Sequence, residues 1–132
     1  DDPMVISTMR QVEERLTVRT VVGGIARYER DWFLHVTEDF KRVPGNPWII
    51  CTLWLAQYKI AKAQTSEQLR DVVDILVWAF RRAHPSGVLP EQLHPFGERP
   101  ISVCPLSWSH AEVIITVQDY IDKYHLLRRN KQ

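Results

Sequence analysis

The sequence has little of what secreted and membrane-bound proteins usually carry. Its 132 residues include only two cysteines, Cys51 and Cys104, too few for a disulfide framework. We interpret both as small apolar residues that fill space in a core, with a disulfide between them as the alternative. The sequence contains no glycosylation sequon, no signal peptide and no apolar run long enough to span a bilayer. We therefore predict no membrane partner, and these absences slightly favour the cytoplasm.

Charge balance and histidine spacing exclude further classes of protein. The 17 basic and 16 acidic side chains nearly cancel, and no basic run has the pattern of a nucleic-acid-binding surface. His84, His94 and His110 stand at none of the spacings that metal ligands use. A glycine-rich loop of the phosphate-binding kind is also lacking. We predict no nucleic-acid partner, no metal and no cofactor.

The chain does have helical periodicity and five tryptophans, many for its length. Tryptophans in excess serve either thick cores between helices or platforms for sugar rings. Apolar residues recur at helical spacing in four segments, residues 3–18, 48–64, 67–83 and 107–127. The second segment is apolar on nearly all sides, which is typical of a helix buried on several faces. The sequence predicts an all-α protein of about four helices.

Local signals mark where these helices begin. The predicted N-caps are, in chain order, Asp2, Asn46, Thr65 and Ser109, with Ser107 as an alternative to the last. The first two precede prolines suited to the first helical position. The other two have a glutamine or a glutamate at capping-box spacing. Residues 18–22 are the one segment in which a short strand is an alternative.

Two long loops, residues 24–45 and 84–106, follow the first and third helices. Because those helices run in the same direction, we expect both loops on one face of the domain. Pro90 restricts the backbone of the second loop, so the carboxylate of Glu91 stands on a stiff turn. The alternative is a solvated glutamate in an ordinary connection. A carboxylate, an arginine and several tryptophans on one face suit a carbohydrate site.

Three segments resemble motifs of glycoside hydrolase family 15, the glucoamylases. Residues 45–53 (Gly-Asn-Pro-Trp, then Ile-Ile-Cys-Thr-Leu) look like a helix start of that family. Residues 24–28 (Gly-Ile-Ala-Arg-Tyr) look like its pocket-lining loop. Residues 89–111, with Leu-Pro-Glu-Gln and Leu-Ser-Trp-Ser-His-Ala, resemble the segment that carries its general base. The motifs occur in the family's order.

The resemblance implies that residues 1–132 form the C-terminal third of an (α/α)6 toroid, a double ring of helices. It implies part of an inverting, exo-acting α-glucosidase that hydrolyses terminal α-linked glucose from oligosaccharides and polysaccharides. Alternatives within the family are a trehalase, an isomaltose- or dextran-type glucohydrolase, and a non-catalytic regulatory or sugar-binding domain. An unrelated helical interaction domain is the alternative outside it.

By the same resemblance, Glu91 is the general base that deprotonates the attacking water. Ser102 then bonds this carboxylate and favours its ionised form, while Asp31 pairs with a pocket arginine. Arg30 stands where fungal members have an acidic residue, which changes the local charge. The residues assigned to the substrate pocket are Arg27, Tyr28, Trp48 and Trp108.

The family's general acid has no counterpart in this sequence. The resemblance therefore implies that the chain alone is inactive. Its expected partners are an α-glucoside substrate and the remainder of the barrel, supplied by upstream sequence or by another chain. Helix faces that pack against this remainder stay exposed without it, so we expect the isolated chain to self-associate.

Overall fold

The computed structural model describes residues 2–129. Its helices are α1 (Pro3–Leu16), α2 (Ile49–Lys62), α3 (Ser66–Arg81) and α4 (Ser107–Arg129). Two short strands, β1 (Ile25–Ala26) and β2 (Pro47–Trp48), form an antiparallel pair in which Ile25 lies opposite Trp48. The four described helices confirm the predicted all-α class, and each lies close to its predicted span.

Helix α2 lies at the centre because it is apolar on nearly every side. Helices α3 and α4 both pack against it. One core cluster joins Ile49 and Leu53 of α2 with Leu76 of α3 and Val113 of α4. Each large apolar side chain that is fully buried contributes about 1.5–3 kcal/mol. Tertiary packing therefore stabilises α2 more than its intrinsic helix propensity does.

Helix α1 lies on the outside of this arrangement. It buries no residue fully, and only its side chains Met9, Val12 and Leu16 pack against the core cluster on the other side of α2. The Asp2 carboxylate accepts a hydrogen bond of 2.8 Å from Met4 N. The first predicted N-cap is thus confirmed.

Two of the predicted caps are wrong, because long-range hydrogen bonds take their side chains elsewhere. Helix α2 begins at Ile49, and the Asn46 amide instead donates to the Leu34 carbonyl at 2.9 Å. Ser109 lies inside α4, where its hydroxyl donates to the Pro90 carbonyl at 2.7 Å. Both side chains join separate segments of the chain rather than closing a helix end.

Two other local predictions need correction. Thr65 Oγ1 accepts from Gln68 N at 3.2 Å, as an N-cap should, but Gln68 Oε1 accepts from Gln64 N at 2.7 Å. Helix α3 therefore has the cap without the reciprocal bond of a capping box. Residues 18–22 form no strand in the described chain. A strand forms a few residues later, at Ile25–Ala26, and pairs with β2.

The two long loops meet beside strand β2, in agreement with the prediction that they lie on one face. Leu93 N donates to the Pro47 carbonyl at 3.0 Å, and Ile49 N donates to the Glu91 carbonyl at 3.1 Å. Strand β2 therefore has β1 on one side and the Glu91 segment on the other.

Side chains of α3 fasten the first loop to the helices. Trp78 Nε1 and Arg82 Nη2 both donate to the Val22 carbonyl, at 2.6 and 2.8 Å. Gly24 passes so close to the indole that a Cβ there would lie 2.5 Å from Trp78 Cζ2. Its φ of 88° is also one that glycine adopts readily. A side chain at this position would push the first loop away from α3.

Large apolar side chains remain exposed on the helices, most of them on α4. Those on α4 are Trp108, Ile114, Ile115, Ile121, Tyr124 and Leu126, and Trp54 on α2 contacts the first of them. Such a patch is typical of a surface that another protein segment covers. Within residues 2–129, no helix combines the length and the apolar character needed to cross a membrane.

Candidate active site

Glu91 lies on a turn that hydrogen bonds hold on both sides. Its backbone N–H donates to the Val103 carbonyl at 2.9 Å, and its carbonyl accepts from Ile49 N at 3.1 Å. The start of α4 is tied to the same turn, since Ser109 Oγ donates to the neighbouring Pro90 carbonyl. Three segments thus fix the position of one half-buried carboxylate.

The two oxygens of the Glu91 carboxylate have different surroundings. Oε2 accepts a short hydrogen bond from Ser102 Oγ and a long one, 3.4 Å, from Gln92 Nε2. Oε1 accepts no hydrogen bond from residues 2–129. These two hydrogen bonds hold Oε2 in place. The other oxygen is free to accept a proton from a bound water.

Arg27 follows β1 and is held by the buried carboxylate of Asp31. Its Nε and Nη2 donate to the two Asp31 oxygens at 3.0 and 2.9 Å. Asp31 is only 1% exposed and also accepts from Phe33 N at 3.0 Å. The hydrogen bond to Asp31 raises the pKa of Arg27 further above its usual range. The guanidinium is therefore both charged and fixed in orientation.

Aromatic rings surround the Arg27 guanidinium. Its central carbon lies 4.9 Å from the Tyr28 ring centroid, 5.4 Å from that of Phe33 and 4.6 Å from that of Trp48. Arg27 Nη2 also donates to the Tyr28 hydroxyl at 3.2 Å. Nη1 has no hydrogen-bond partner among residues 2–129. This nitrogen can donate to the hydroxyl of a ligand while the rings shield the charge from water.

Backbone pairing brings the two loops of the site together. Trp48 pairs with Ile25 across the β-sheet and with Gln92 through an isolated bridge. Arg27 comes two residues after Ile25, and Glu91 comes directly before Gln92. The structure places these three predicted site residues around one short strand.

Trp108 and Arg30 lie further out. The Trp108 side chain is 51% exposed, and its Nε1 donates to Glu112 Oε1 at 3.0 Å. Its ring meets that of Trp54 edge to face, with centroids 5.7 Å apart. Arg30 is exposed in the turn between Arg27 and Asp31, with a φ of 55° that is uncommon outside glycine.

Several side chains of the site were not predicted. Gln92 and Asn46 are buried and hydrogen-bonded to each other at 2.9 Å, and Phe33 covers Arg27. The only feature of the sequence that pointed to a role for Gln92 in the site was its position directly after Glu91. Asn46 carried a misleading signal, since Asn-Pro predicts a helix cap.

The two cysteines have different environments, and both are free thiols. Cys51 is buried, as predicted, whereas Cys104 is exposed, so its interpretation as a core residue was wrong. Burial raises the pKa of the Cys51 thiol from 9.0 to about 12, the charge of Arg27 lowers it, and that of Asp31 raises it. Cys51 therefore lies close to the charged pair of the site.

We expect a maleimide to modify Cys104 in the folded chain and to leave Cys51 unmodified, because the thiolate is the reactive form. Mass spectrometry of the labelled chain measures this, and denaturation should make both cysteines reactive. Cys104→Ser is the control and should abolish labelling of the folded chain. Rapid modification of native Cys51 would contradict the burial described above.

The raised pKa of Cys51 also predicts how stability depends on pH. The folded chain binds the thiol proton more tightly than the unfolded chain does. This contribution to stability is complete below pH 9.0 and is lost as the pH rises towards about 12. Cys51→Ala should flatten the fall in the free energy of unfolding across that range, as measured with urea. An equally steep fall in the variant would assign the effect to other groups.

No group of three or more His, Cys, Asp or Glu side chains within residues 2–129 is arranged to hold a metal ion. What the described site offers is one carboxylate with a free oxygen, one fixed guanidinium and several aromatic faces.

Comparison with known proteins finds a relative of similar sequence. Over 128 residues the chain is 32% identical to an uncharacterized glycosyl hydrolase of Methanocaldococcus jannaschii, a match that covers 90% of this chain and 19% of that protein. The chain thus spans about a fifth of the length of this relative. No protein-family model and no solved structure matches the chain. The chain is similar to part of a glycosyl hydrolase, whose name assigns it to no particular family of these enzymes.

Proposed function

We propose that the chain is the part of an inverting, exo-acting α-glucosidase that carries the general base, Glu91. The observation that carries the proposal is the asymmetry of this carboxylate, with Oε2 anchored by Ser102 and Gln92 and Oε1 free. The similarity to part of a glycosyl hydrolase supports the reaction class. The resemblance of three segments to glucoamylases supports the finer assignment to glycoside hydrolase family 15.

In this mechanism Glu91 Oε1 removes a proton from water as the water attacks the anomeric carbon. The glycosidic bond breaks, and the leaving oxygen takes a proton from a carboxylic acid on the other side of the sugar ring. In inverting enzymes the two carboxyl groups stand about 6.5–9.5 Å apart, which leaves room for the water. The remainder of the barrel supplies this acid in our proposal.

Arg27 holds the terminal glucose in the proposed site. Its unpaired Nη1 donates to a sugar hydroxyl, and Asp31 keeps the guanidinium in the orientation this requires. Tyr28 and Trp108 provide exposed aromatic rings against which the apolar faces of a pyranose can pack. Trp48, by contrast, is only 5% exposed and supports the Arg27 guanidinium. Ser102 and Asp31 are supporting residues, since each acts through the charged group that it bonds.

The remainder of an (α/α)6 barrel is the proposed partner of the exposed apolar side of α2 and α4. Ile114 is 70% exposed and Trp54 is 42% exposed there. Without that partner, these faces should associate with each other. We expect sedimentation velocity to show dimers or larger species that dissociate on Ile114→Ser substitution. A dilute, well-behaved monomer would contradict the barrel assignment.

The proposed function is tested by incubating the isolated chain, and the enzyme assembled from the chain and its missing part, with maltose, trehalose and soluble starch. We expect glucose release from the assembled enzyme alone, with the β-anomer as the first product in a proton NMR time course. The preferred substrate distinguishes a glucoamylase from a trehalase. Robust glucose release by the isolated chain would overturn the proposal.

A further inference from the structure

We propose that Asn46 is a positioning residue for the general base, because its amide determines which end of the Gln92 side chain faces Glu91. The inference rests on the proposed function, since it concerns the base of that site. It adds a chain of hydrogen bonds, here called the relay, that runs from the Leu34 carbonyl through Asn46 and Gln92 to the Glu91 carboxylate.

The relay begins at backbone carbonyls, whose role as acceptors cannot change. Asn46 Nδ2 lies 2.9 Å from the Leu34 carbonyl oxygen and 3.5 Å from that of Phe33. It also lies 2.9 Å from Gln92 Oε1. Turning the amide around would place Asn46 Oδ1 against three acceptors at once. The two carbonyls therefore fix the orientation of the Asn46 amide.

The orientation of Asn46 fixes that of Gln92 in turn. Gln92 is fully buried, and its oxygen must face the donor that Asn46 presents. The NH2 group of Gln92 is left at the other end, 3.4 Å from Glu91 Oε2. This contact and the Ser102 hydrogen bond fall on the same oxygen. Together they hold the carboxylate through Oε2 and leave Oε1 for water.

Two unfavourable features support the view that the arrangement serves the site. Asn46 Oδ1 is buried and has no hydrogen-bond partner among residues 2–129. Leu34, which presents one of the carbonyls, has a φ of 52°, a conformation that residues other than glycine rarely adopt. Orphaned polar atoms and backbone strain both cost folding free energy, and they tend to collect at functional sites.

Kinetics of the assembled enzyme provide the first test. Asn46→Asp removes the donor, so the Gln92 NH2 turns towards the new carboxylate and its oxygen turns towards Glu91. We expect kcat to fall about tenfold with KM within about twofold, as for the loss of a weak hydrogen bond to a charged group.

A second variant removes the Gln92 donor that contacts Glu91. Gln92→Met keeps the length of the side chain without its polar atoms, so it should reproduce the kinetic change even if Asn46→Asp folds poorly. Gln11→Glu, an amide-to-acid change on the exposed face of α1, is the matched control and should leave kcat unchanged. Circular dichroism establishes that each variant is folded.

NMR of the isolated chain tests the relay without any catalysis. In the wild-type chain we expect the Gln92 side-chain amide signals to shift as the neighbouring carboxylate is titrated with acid. Glu91→Gln should abolish this shift. A Gln92 amide that does not respond in the wild-type chain would overturn the relay, whatever the enzyme does.

The two kinds of failure can be told apart. If Glu91→Gln abolishes turnover while Asn46→Asp and Gln92→Met do not reduce it, the relay is wrong and the proposed function stands. If Glu91→Gln retains full turnover, the proposed function is wrong and the relay has no catalytic role.

Discussion

Glu91→Gln is expected to lower the kcat of the assembled enzyme by about two to four orders of magnitude, the usual contribution of a general base. The substitution keeps the shape of the side chain, and the amide oxygen can still accept from Ser102. It removes the ability to take a proton from water. Substrate contacts through Arg27 remain, so calorimetry should find sugar binding within about threefold of the wild type.

The control and a rescue experiment make this result specific. Glu38→Gln changes an exposed glutamate of the first loop and should leave turnover unchanged. Glu91→Ala opens space beside the anomeric carbon for azide, an anion that attacks without a base. The expected product is β-glucosyl azide, in which a carbon–nitrogen bond replaces the broken glycosidic bond and the leaving oxygen is protonated by the acid. Wild-type turnover in Glu91→Gln would exclude this residue as the base.

The parts of the fold that depend on neighbouring residues were predicted well. The helices follow from apolar periodicity, and the caps at Asp2 and Thr65 bond to residues only two and three positions away. Asn46 and Ser109 have equally good cap sequences. Their partners lie up to 46 and 19 positions away in the chain, and those contacts prevail. Long-range contacts override local propensity there, and no local pattern reveals them.

In the candidate site, too, contacts between residues close in sequence could be predicted, and contacts between distant segments could not. Arg27 and Asp31 stand four residues apart, and their pairing could be expected from the resemblance to glucoamylases. The resemblance also pointed to Ser102 as a partner of Glu91. The roles of Gln92 and Asn46 required the structure, because they depend on two loops meeting beside one strand. The exposure of Cys104 also depends on that loop arrangement.

Asp31→Asn is expected to produce the largest loss of stability among single substitutions at the site. The carboxylate is 1% exposed and accepts three hydrogen bonds, two from Arg27 and one from Phe33 N. The new NH2 group must face one of these donors, and the Arg27 charge loses its partner. Breaking a buried pair costs about 3–5 kcal/mol. Because Arg27 is 36% exposed, we expect a decrease of about 1–3 kcal/mol in the free energy of unfolding.

Urea unfolding of the isolated chain measures this decrease, with Glu14→Gln as the matched control. Glu14 forms an exposed pair with Arg10 at the same spacing of four residues, so its loss should leave the unfolding midpoint unchanged. In the assembled enzyme, Asp31→Asn should raise KM by about tenfold or more, because a misoriented Arg27 binds the sugar poorly in the ground state and in the transition state. An unchanged KM with lowered stability would show that Asp31 supports the fold and that Arg27 does not hold the substrate.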